Sequence, residues 1–244
     1  MNIALVFAGG TGQRMNTKNL PKQFLKLHGK PIIIYTLEHF ENHPDIDAII
    51  LVCVDGWHDY MKKLLKTFSI TKVADVISGG PTGQDSIYNA VMRAKELYPD
   101  DSVVLMHDGV RPLIDEEVIT KNIESVKKYG SSVTVSPAIE TITVAGDEPG
   151  LVGQIIERRR CSLAKAPQGF FLGDIYDAHI KAREENKHDF IDSASLMRYY
   201  GHELRTVEGS PSNIKITTPT DFYIFRAIVD AMENEQIFGL DSGR

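Results

Sequence analysis

Cysteine and tryptophan are scarce in this 244-residue sequence, with two of the former and one of the latter. Cys53 and Cys161 lie far apart and outside any zinc-ligand spacing. That excludes cysteine-rich metal modules and a disulfide-stapled fold, and it points to a reducing, cytoplasmic setting. No apolar run reaches the ~20 residues that a membrane-spanning helix needs. The apolar start, MNIALVFAGG, lacks a basic leader and runs into a glycine turn, so it reads as a buried strand and not as a signal peptide. Positive charge is also in deficit. Lys and Arg number 27 against 33 Asp and Glu, a net charge of −6, which excludes a general affinity for nucleic acid or an anionic membrane. Internal repeats and low-complexity tracts are missing, so residues 1–244 are read as a single domain.

What is present is ordinary for a folded chain: 42% hydrophobic and 25% charged residues. Short apolar runs predict strands over residues 2–7, 48–54, 72–77 and 102–107. Between them, helical spacing predicts helices over 31–41, 57–67, 83–97 and 115–128, followed by a strand over 131–136. This alternation implies an α/β chain whose mainly parallel sheet is covered on both faces. Ligands of such sheets bind beyond the carboxyl ends of the strands.

The pattern changes over residues 139–168, where ETITVAG and LVGQIIE alternate around the turn GDEPG. Such a hairpin is too short to have its own core. It is either a β-arm that packs on a second subunit, making a homodimer, or an ordinary edge hairpin. Beyond it, helices are expected over 172–184, 192–200 and 219–232, with short strands over 204–208 and 213–216.

The most informative stretch is FAGGTGQRM (7–15) followed by PKQF (21–24). A strand runs into Ala8, Gly9, Gly10, Thr11 and Gly12, where glycine lets backbone amides approach a phosphate chain closely. Arg14 and Lys22 add two cations, a combination suited to a triphosphate. A dinucleotide fingerprint would need glycine where Met15 stands, and an acidic residue about 20 positions on is missing, which counts against the rival reading as a nicotinamide-dependent oxidoreductase. A P-loop would need a terminal GK[ST], which is absent.

AGGTGQRM…PKQF resembles the signature of the polyol-phosphate cytidylyltransferases. The resemblance continues in order through GKPII (29–33), GG…QDSIYNA (79–90), HDGVRP (107–112), APQGF (166–170) and NIKITTPTDF (213–222), covering nearly the whole chain. It implies a Rossmann-like, three-layer nucleotidyltransferase fold with a protruding β-arm and transfer of CMP from CTP to a small polyol phosphate. It further implies Mg²⁺ as the cofactor. In that reading the amides of Gly10–Gly12 hold the triphosphate, while Arg14, Lys22 and Lys215 contact the reacting phosphates. Asp85 and Ser86 read the cytosine together with backbone near Ala8, Gly79 and Gly80. Asp108 holds Mg²⁺ or orients the acceptor, supported by Arg111, and Thr141 and Arg158 reach the acceptor phosphate from a neighbouring subunit. A solvated surface role is the plain alternative for each charged residue, Arg158–Arg160 above all.

Three positions depart from the pattern. Gly83 stands where an arginine is usual, Ala166 replaces the threonine of a TPQ segment, and Ile191-Asp192-Ser193-Ala194 replaces TDEA. These bear on the base site and the acceptor, leaving Arg14, Lys22, Asp108 and Lys215 in place. AGG, NLPKQFL and HDGVRP favour an alditol phosphate such as ribitol 5-phosphate, used for a surface polymer. SASLMRYYG through VEGSPSNIK resembles the methylerythritol phosphate branch of isoprenoid synthesis. A nucleotide sensor without turnover is the alternative from another class.

Overall fold

The computed structural model describes residues 1–10 and 20–238, with side chains described as far as residue 234. The chain runs β1 (Asn2–Ala8), β2 (Lys26–Leu27), β3 (Lys30–Pro31), α1 (Ile32–Asn42), β4 (Ala48–Cys53), α2 (His58–Thr67), β5 (Val73–Ser78), α3 (Gly83–Leu97) and β6 (Val103–Asp108). It continues through α4 (Glu116–Tyr129), β7 (Ser131–Pro137), β8 (Ile142–Ala145), β9 (Val152–Ile156), β10 (Ser162–Phe171), α5 (Leu172–Glu184), α6 (Ser193–Tyr199), β11 (Thr206–Glu208) and α7 (Pro219–Phe238).

The main sheet has the order β11-β7-β10-β6-β1-β4-β5. Every neighbouring pair is parallel except those made by β10, which runs antiparallel to both β6 and β7. The period-two alternation of a strand explains the three layers. Along β1, Ala4, Val6 and Ala8 face a core with Leu37 and Phe40 of α1, Met61 of α2 and Ile123 of α4. Ile3 and Leu5 face the opposite core with Ala90 and Val91 of α3, Ile175 of α5 and Met197 of α6. Because both faces are covered, β1, β4 and β6 read as continuous apolar runs.

Strand β10 was not foreseen. Its first residues pair with the outer end of β7, and its last four sit between β6 and β7. The segment 139–168 therefore does not end as an arm. Ala166 and Gln168 are buried, and alternation in SLAKAPQGFF is hidden because one half of the strand is exposed and the other buried on both faces. The expected strand over 213–216 does not form. Ile216 donates one backbone bond, to Val110 O at 2.9 Å, and is fully buried in a third cluster with Val110, Leu27 and Phe225 of α7. Asn213 O is taken by side chains, which leaves no ladder to continue.

Two histidines of this core shape its response to acid. Burial pushes His107 down to about 3 and His179 to about 4 from the ordinary 6.5. The unfolded chain binds protons near pH 6.5 that the folded chain refuses, so stability is retained above pH 6.5 and lost progressively as pH falls towards 4. Each group contributes up to ~1.4 kcal/mol per pH unit over that window. Urea midpoints at pH 7.5, 6 and 5 should decline accordingly, with a shallower slope in His179→Leu; identical slopes in the two proteins would refute the assignment to His179.

Candidate active site

The carboxyl ends of β1, β5 and β6, together with β10 and the segment before α7, enclose a cleft of ≈ 680 Å³. At its centre β1 ends in Ala8, Gly9 and Gly10. A single turn of 3₁₀ helix, Lys22–Phe24, is locked beside this strand end. Gln23 Nε2 donates to Ala8 O at 2.6 Å, and buried Phe24 stacks on Trp57 at 5.0 Å between ring centres. Burying a phenylalanine contributes roughly 2–3 kcal/mol, so the turn is well anchored. It presents Lys22, whose Nζ donates to Ile216 O at 3.0 Å, to the cleft. Thr11, Gly12 and Arg14 lie outside the described residues.

On the β5 side, Gly79 and Gly80 precede α3. Thr82 caps that helix through a capping box with Asp85, not Ser86. Ser86 Oγ instead accepts from Gly80 N at 3.0 Å and donates to Thr82 O at 3.0 Å, holding the turn against the cleft. Asp85 does not join it. One carboxylate oxygen accepts from Thr82, the other pairs with Arg183, and the residue faces a neighbouring hollow. This engagement makes Asp85 a support of the turn that precedes α3. A Cβ on Gly80 would stand 2.3 Å from Asp85 Cβ and 2.9 Å from its carbonyl carbon. Gly80→Ala should therefore cost about 1–3 kcal/mol of stability and weaken nucleotide binding, measured by thermal unfolding and calorimetry. A variant as stable as the parent would overturn the close approach.

The strongest electrostatic feature lies at the end of β6. Asp108 accepts from Lys215 Nζ at 2.6 Å through one oxygen and from Arg111 Nε at 2.8 Å through the other. Burial alone would raise the carboxyl pKa, but Lys215 and Arg111 outweigh it and hold it at about 2. Arg111 is 12% exposed, Asp108 26% and Lys215 43%, so solvent screens the Lys215 side more than the Arg111 side. Arg111 is fixed further by Nη1 donating to Asn213 O at 3.0 Å. Buried, neutral His107 sits behind, its Nε2 3.2 Å from Arg111 O.

Two groups went unrecognised in the sequence. Gln168 spans from β10 to α6, its Nε2 donating to Asp192 Oδ2 at 2.8 Å and its Oε1 accepting from Ala194 N at 2.9 Å. It thereby seats Asp192 and Ser193 on the cleft wall. Lys165 also lines the cleft. Gln168 was within sight, in the APQGF motif, but its partner lies 24 residues on.

Thr141 and Arg158 are not in the cleft of this chain. Both are exposed on the excursion that carries β8 and β9, and Arg158 Nη1 donates to Ile139 O at 3.0 Å.

A cleft of this size at the carboxyl ends of a parallel sheet, entered by Gly9 and Gly10 and lined among the described residues by Lys22, Arg111, Lys165 and Lys215, is the kind of site a nucleotidyltransferase uses. The model of the 2-C-methyl-D-erythritol 4-phosphate cytidylyltransferase (IspD) family matches residues 2–231, and the chain belongs to that family. It is 53% identical to ribitol-5-phosphate cytidylyltransferase of Vibrio parahaemolyticus and 52% identical to that of Streptococcus agalactiae serotype V, in each case over 98% of this chain and 100% of the relative. Identity to 2-C-methyl-D-erythritol 4-phosphate cytidylyltransferase of Clostridium botulinum strain 657 is 34%, over 95% of this chain and 98% of that one. Among solved structures, 4-diphosphocytidyl-2C-methyl-D-erythritol synthase of Anaerococcus prevotii superposes with a TM-score of 0.80 at 26% identity, over 94% of this chain and 96% of that one. The reaction class is thus cytidylyl transfer.

Proposed function

We propose that this chain transfers CMP from CTP to ribitol 5-phosphate and releases pyrophosphate. The observation that carries the reading is the Asp108–Arg111–Lys215 constellation facing the glycine turn, in a chain more than half identical to ribitol-5-phosphate cytidylyltransferases. An acceptor phosphate oxygen attacks the α-phosphorus of CTP, a new P–O bond forms, and the bond to the bridging oxygen of pyrophosphate breaks. Negative charge grows on the nonbridging and leaving oxygens. Preorganised cations stabilise that charge more than they stabilise the ground state. Lys22 and Lys215 are suited to this, since both converge on the segment 215–216 beside Asp108. The turn around Gly80 and Ser86 is the base end, and Asp108 with Arg111 marks the acceptor end.

Mg²⁺ fits the donor set. Asp108 stays ionised at any working pH, and each of its paired oxygens keeps a further lone pair. One carboxylate plus phosphate oxygens is a usual Mg²⁺ environment. With two cations already on Asp108, the ion would arrive with the nucleotide and would supply charge neutralisation on the phosphates.

The arm supports a homodimer. Ile139, Leu151, Val152 and Ile155 are each more than half exposed on it, an apolar set that a second copy would cover. Thr141 and Arg158 would then reach the acceptor across the interface. Arg158→Ala should raise the KM for the acceptor about tenfold with KM for CTP little changed; loss of CTP affinity instead would place Arg158 at the other end. No helix among the described residues is long and apolar enough to cross a membrane, and consumption of CTP suits a cytoplasmic site.

The test is pyrophosphate release with Mg²⁺, CTP and ribitol 5-phosphate, alongside methylerythritol 4-phosphate, glycerol 3-phosphate, ATP, GTP and UTP. Release confined to CTP with ribitol 5-phosphate is expected. Because the matching family model is named for methylerythritol phosphate, release with that acceptor alone would move the chain to the isoprenoid branch. Silence of folded protein with every pair would refute the reaction.

A further inference from the structure

Lys165 is absent from every motif discussed so far, yet it lines the cleft. Strand β10 places it there. Between Ala164, opposite Val135, and Gln168, opposite Val133, β10 carries two more residues than β7, so the strand bulges at Lys165, Ala166 and Pro167. Bulges of this kind re-aim side chains at sheet rims. Because β10 is antiparallel and Gln168 lies opposite Met106, the bulge falls beside the carboxyl end of β6, where Asp108 stands.

The ammonium is half-buried and has no carboxylate partner among the described residues. Its Nζ donates to Pro211 O and to Asn213 O, each at 3.1 Å. Asn213 O also accepts from Arg111, so Lys165 and Arg111 are held side by side. Burial, then the nearby Arg111, lowers the Lys165 pKa, as expected for a cation kept partly from water without an anion. Asn213 is fixed in turn by its Nδ2 donating to Ala166 O at 2.8 Å. Two carbonyls orient the ammonium while leaving its charge uncompensated. Among the described residues of the cleft, Arg111 and Lys215 share Asp108 and Gln168 takes Asp192, so no carboxylate there answers Lys165. An anion is the missing partner.

Sheet order decides which anion. From the base end the strands run β5, β4, β1, β6 and β10. The turn at Gly79–Gly80 follows β5, Gly9 and Gly10 follow β1, and Asp108 ends β6. Lys165 lies one strand further, on the side away from the base.

We propose that Lys165 holds the phosphate of the acceptor and sets its affinity, an inference that rests on the cytidylyltransferase reading above. The ammonium donates to a phosphate oxygen that does not attack, steadying the acceptor while another oxygen of the same phosphate faces the nucleotide. Lys165 is thus a specificity residue supplied by this chain's own sheet, in addition to any contact from the arm.

The test is steady-state kinetics of the full-length protein and of Lys165→Met and Lys165→Arg, with inorganic phosphate as an inhibitor competing with ribitol 5-phosphate. In Lys165→Met the acceptor KM should rise about 10- to 100-fold, the size of a lost charge-assisted contact, with KM for CTP moving less than about twofold. Inhibition by inorganic phosphate should weaken in parallel, and Lys165→Arg should recover most of the acceptor affinity. An unchanged acceptor KM overturns the proposal. So does an equal rise in both KM values, since a merely structural lysine would loosen the 211–213 segment and disturb both substrates. Unaltered phosphate inhibition with a raised acceptor KM also overturns it, because Lys165 would then read the polyol. Parent protein inactive on CTP and ribitol 5-phosphate would refute the functional reading itself; active parent with an indifferent Lys165→Met refutes this inference alone.

Discussion

Lys215→Met should lower kcat by a factor on the order of 10² to 10³ while leaving the fold essentially intact, the range typical of removing one preorganised donor at a developing oxyanion. The two halves of that expectation have different causes. Lys215 is 43% exposed, and among the described residues its ammonium is anchored by the pair with Asp108. A partly exposed pair contributes about 0–1 kcal/mol to stability, because solvent screens it and side-chain entropy opposes it. Against the transition state the same charge acts inside a cleft that substrate fills, where water no longer competes. Pyrophosphate release in single-turnover experiments, paired with thermal unfolding, separates the two quantities. Lys215→Arg keeps the charge but not the point geometry, and should recover only part of the rate. A methionine variant within about threefold of the parent would remove Lys215 from the reaction.

Asp108→Ala should be the most damaging substitution in the cleft, because it costs stability as well as turnover. Its carboxylate neutralises Arg111 and Lys215 together. Without it, Arg111, which is only 12% exposed, keeps among the described residues one neutral acceptor, Asn213 O, and faces Lys215 as a like charge. Removing one member of a buried pair costs about 3–5 kcal/mol, and partial exposure here reduces that to roughly 2–3 kcal/mol. Asp108→Asn keeps the shape and one acceptor oxygen, so it should recover part of the stability and little of the activity. The comparison matters because it isolates charge from packing. Asp108 is also held at about 2, so protonation of this group should not produce an acid limb in the rate between pH 4 and 8. Equal stability of the alanine variant and the parent would show that Asp108 does not hold Arg111.

Apart from the two-residue strands β2 and β3, the strands and helices of the first half were legible to within a residue or two, because buried parallel strands are short apolar runs and their helices carry one apolar stripe. Residues 83–97 and 172–184 form α3 and α5 as expected. Legibility failed where a segment changes environment along its length. Strand β10 is exposed at Leu163 and buried at Phe170, so no single period describes it. The segment before α7 reads as a strand because NIKIT alternates, but its backbone and Asn213 side chain serve Ala166, Arg111 and Lys165.

The candidate site divides in the same way. Motifs single out Lys22, Gly79, Gly80, Ser86, Asp108, Arg111 and Lys215, and all of these but Gly79 line the cleft. Asp85 carries the same motif credentials, yet its carboxylate is turned to Thr82 and Arg183. Residue type and local spacing do not specify which way an N3 side chain turns when a cation 98 residues away competes for it.

Composition and local order by themselves determined the α/β class, the strand ends where chemistry gathers and the cytidylyltransferase resemblance, since each follows from periodicity or from residues close in sequence. Only the tertiary structure decided that β10 enters the sheet antiparallel, that Asp108 is clamped from both sides and that Lys165 lines the cleft with no carboxylate partner among the described residues. Those outcomes depend on pairings between residues far apart in the chain, such as Asp108 with Lys215 and Gln168 with Val133. Packing of the whole chain selects among such long-range pairings, and a short window of sequence holds no record of that selection.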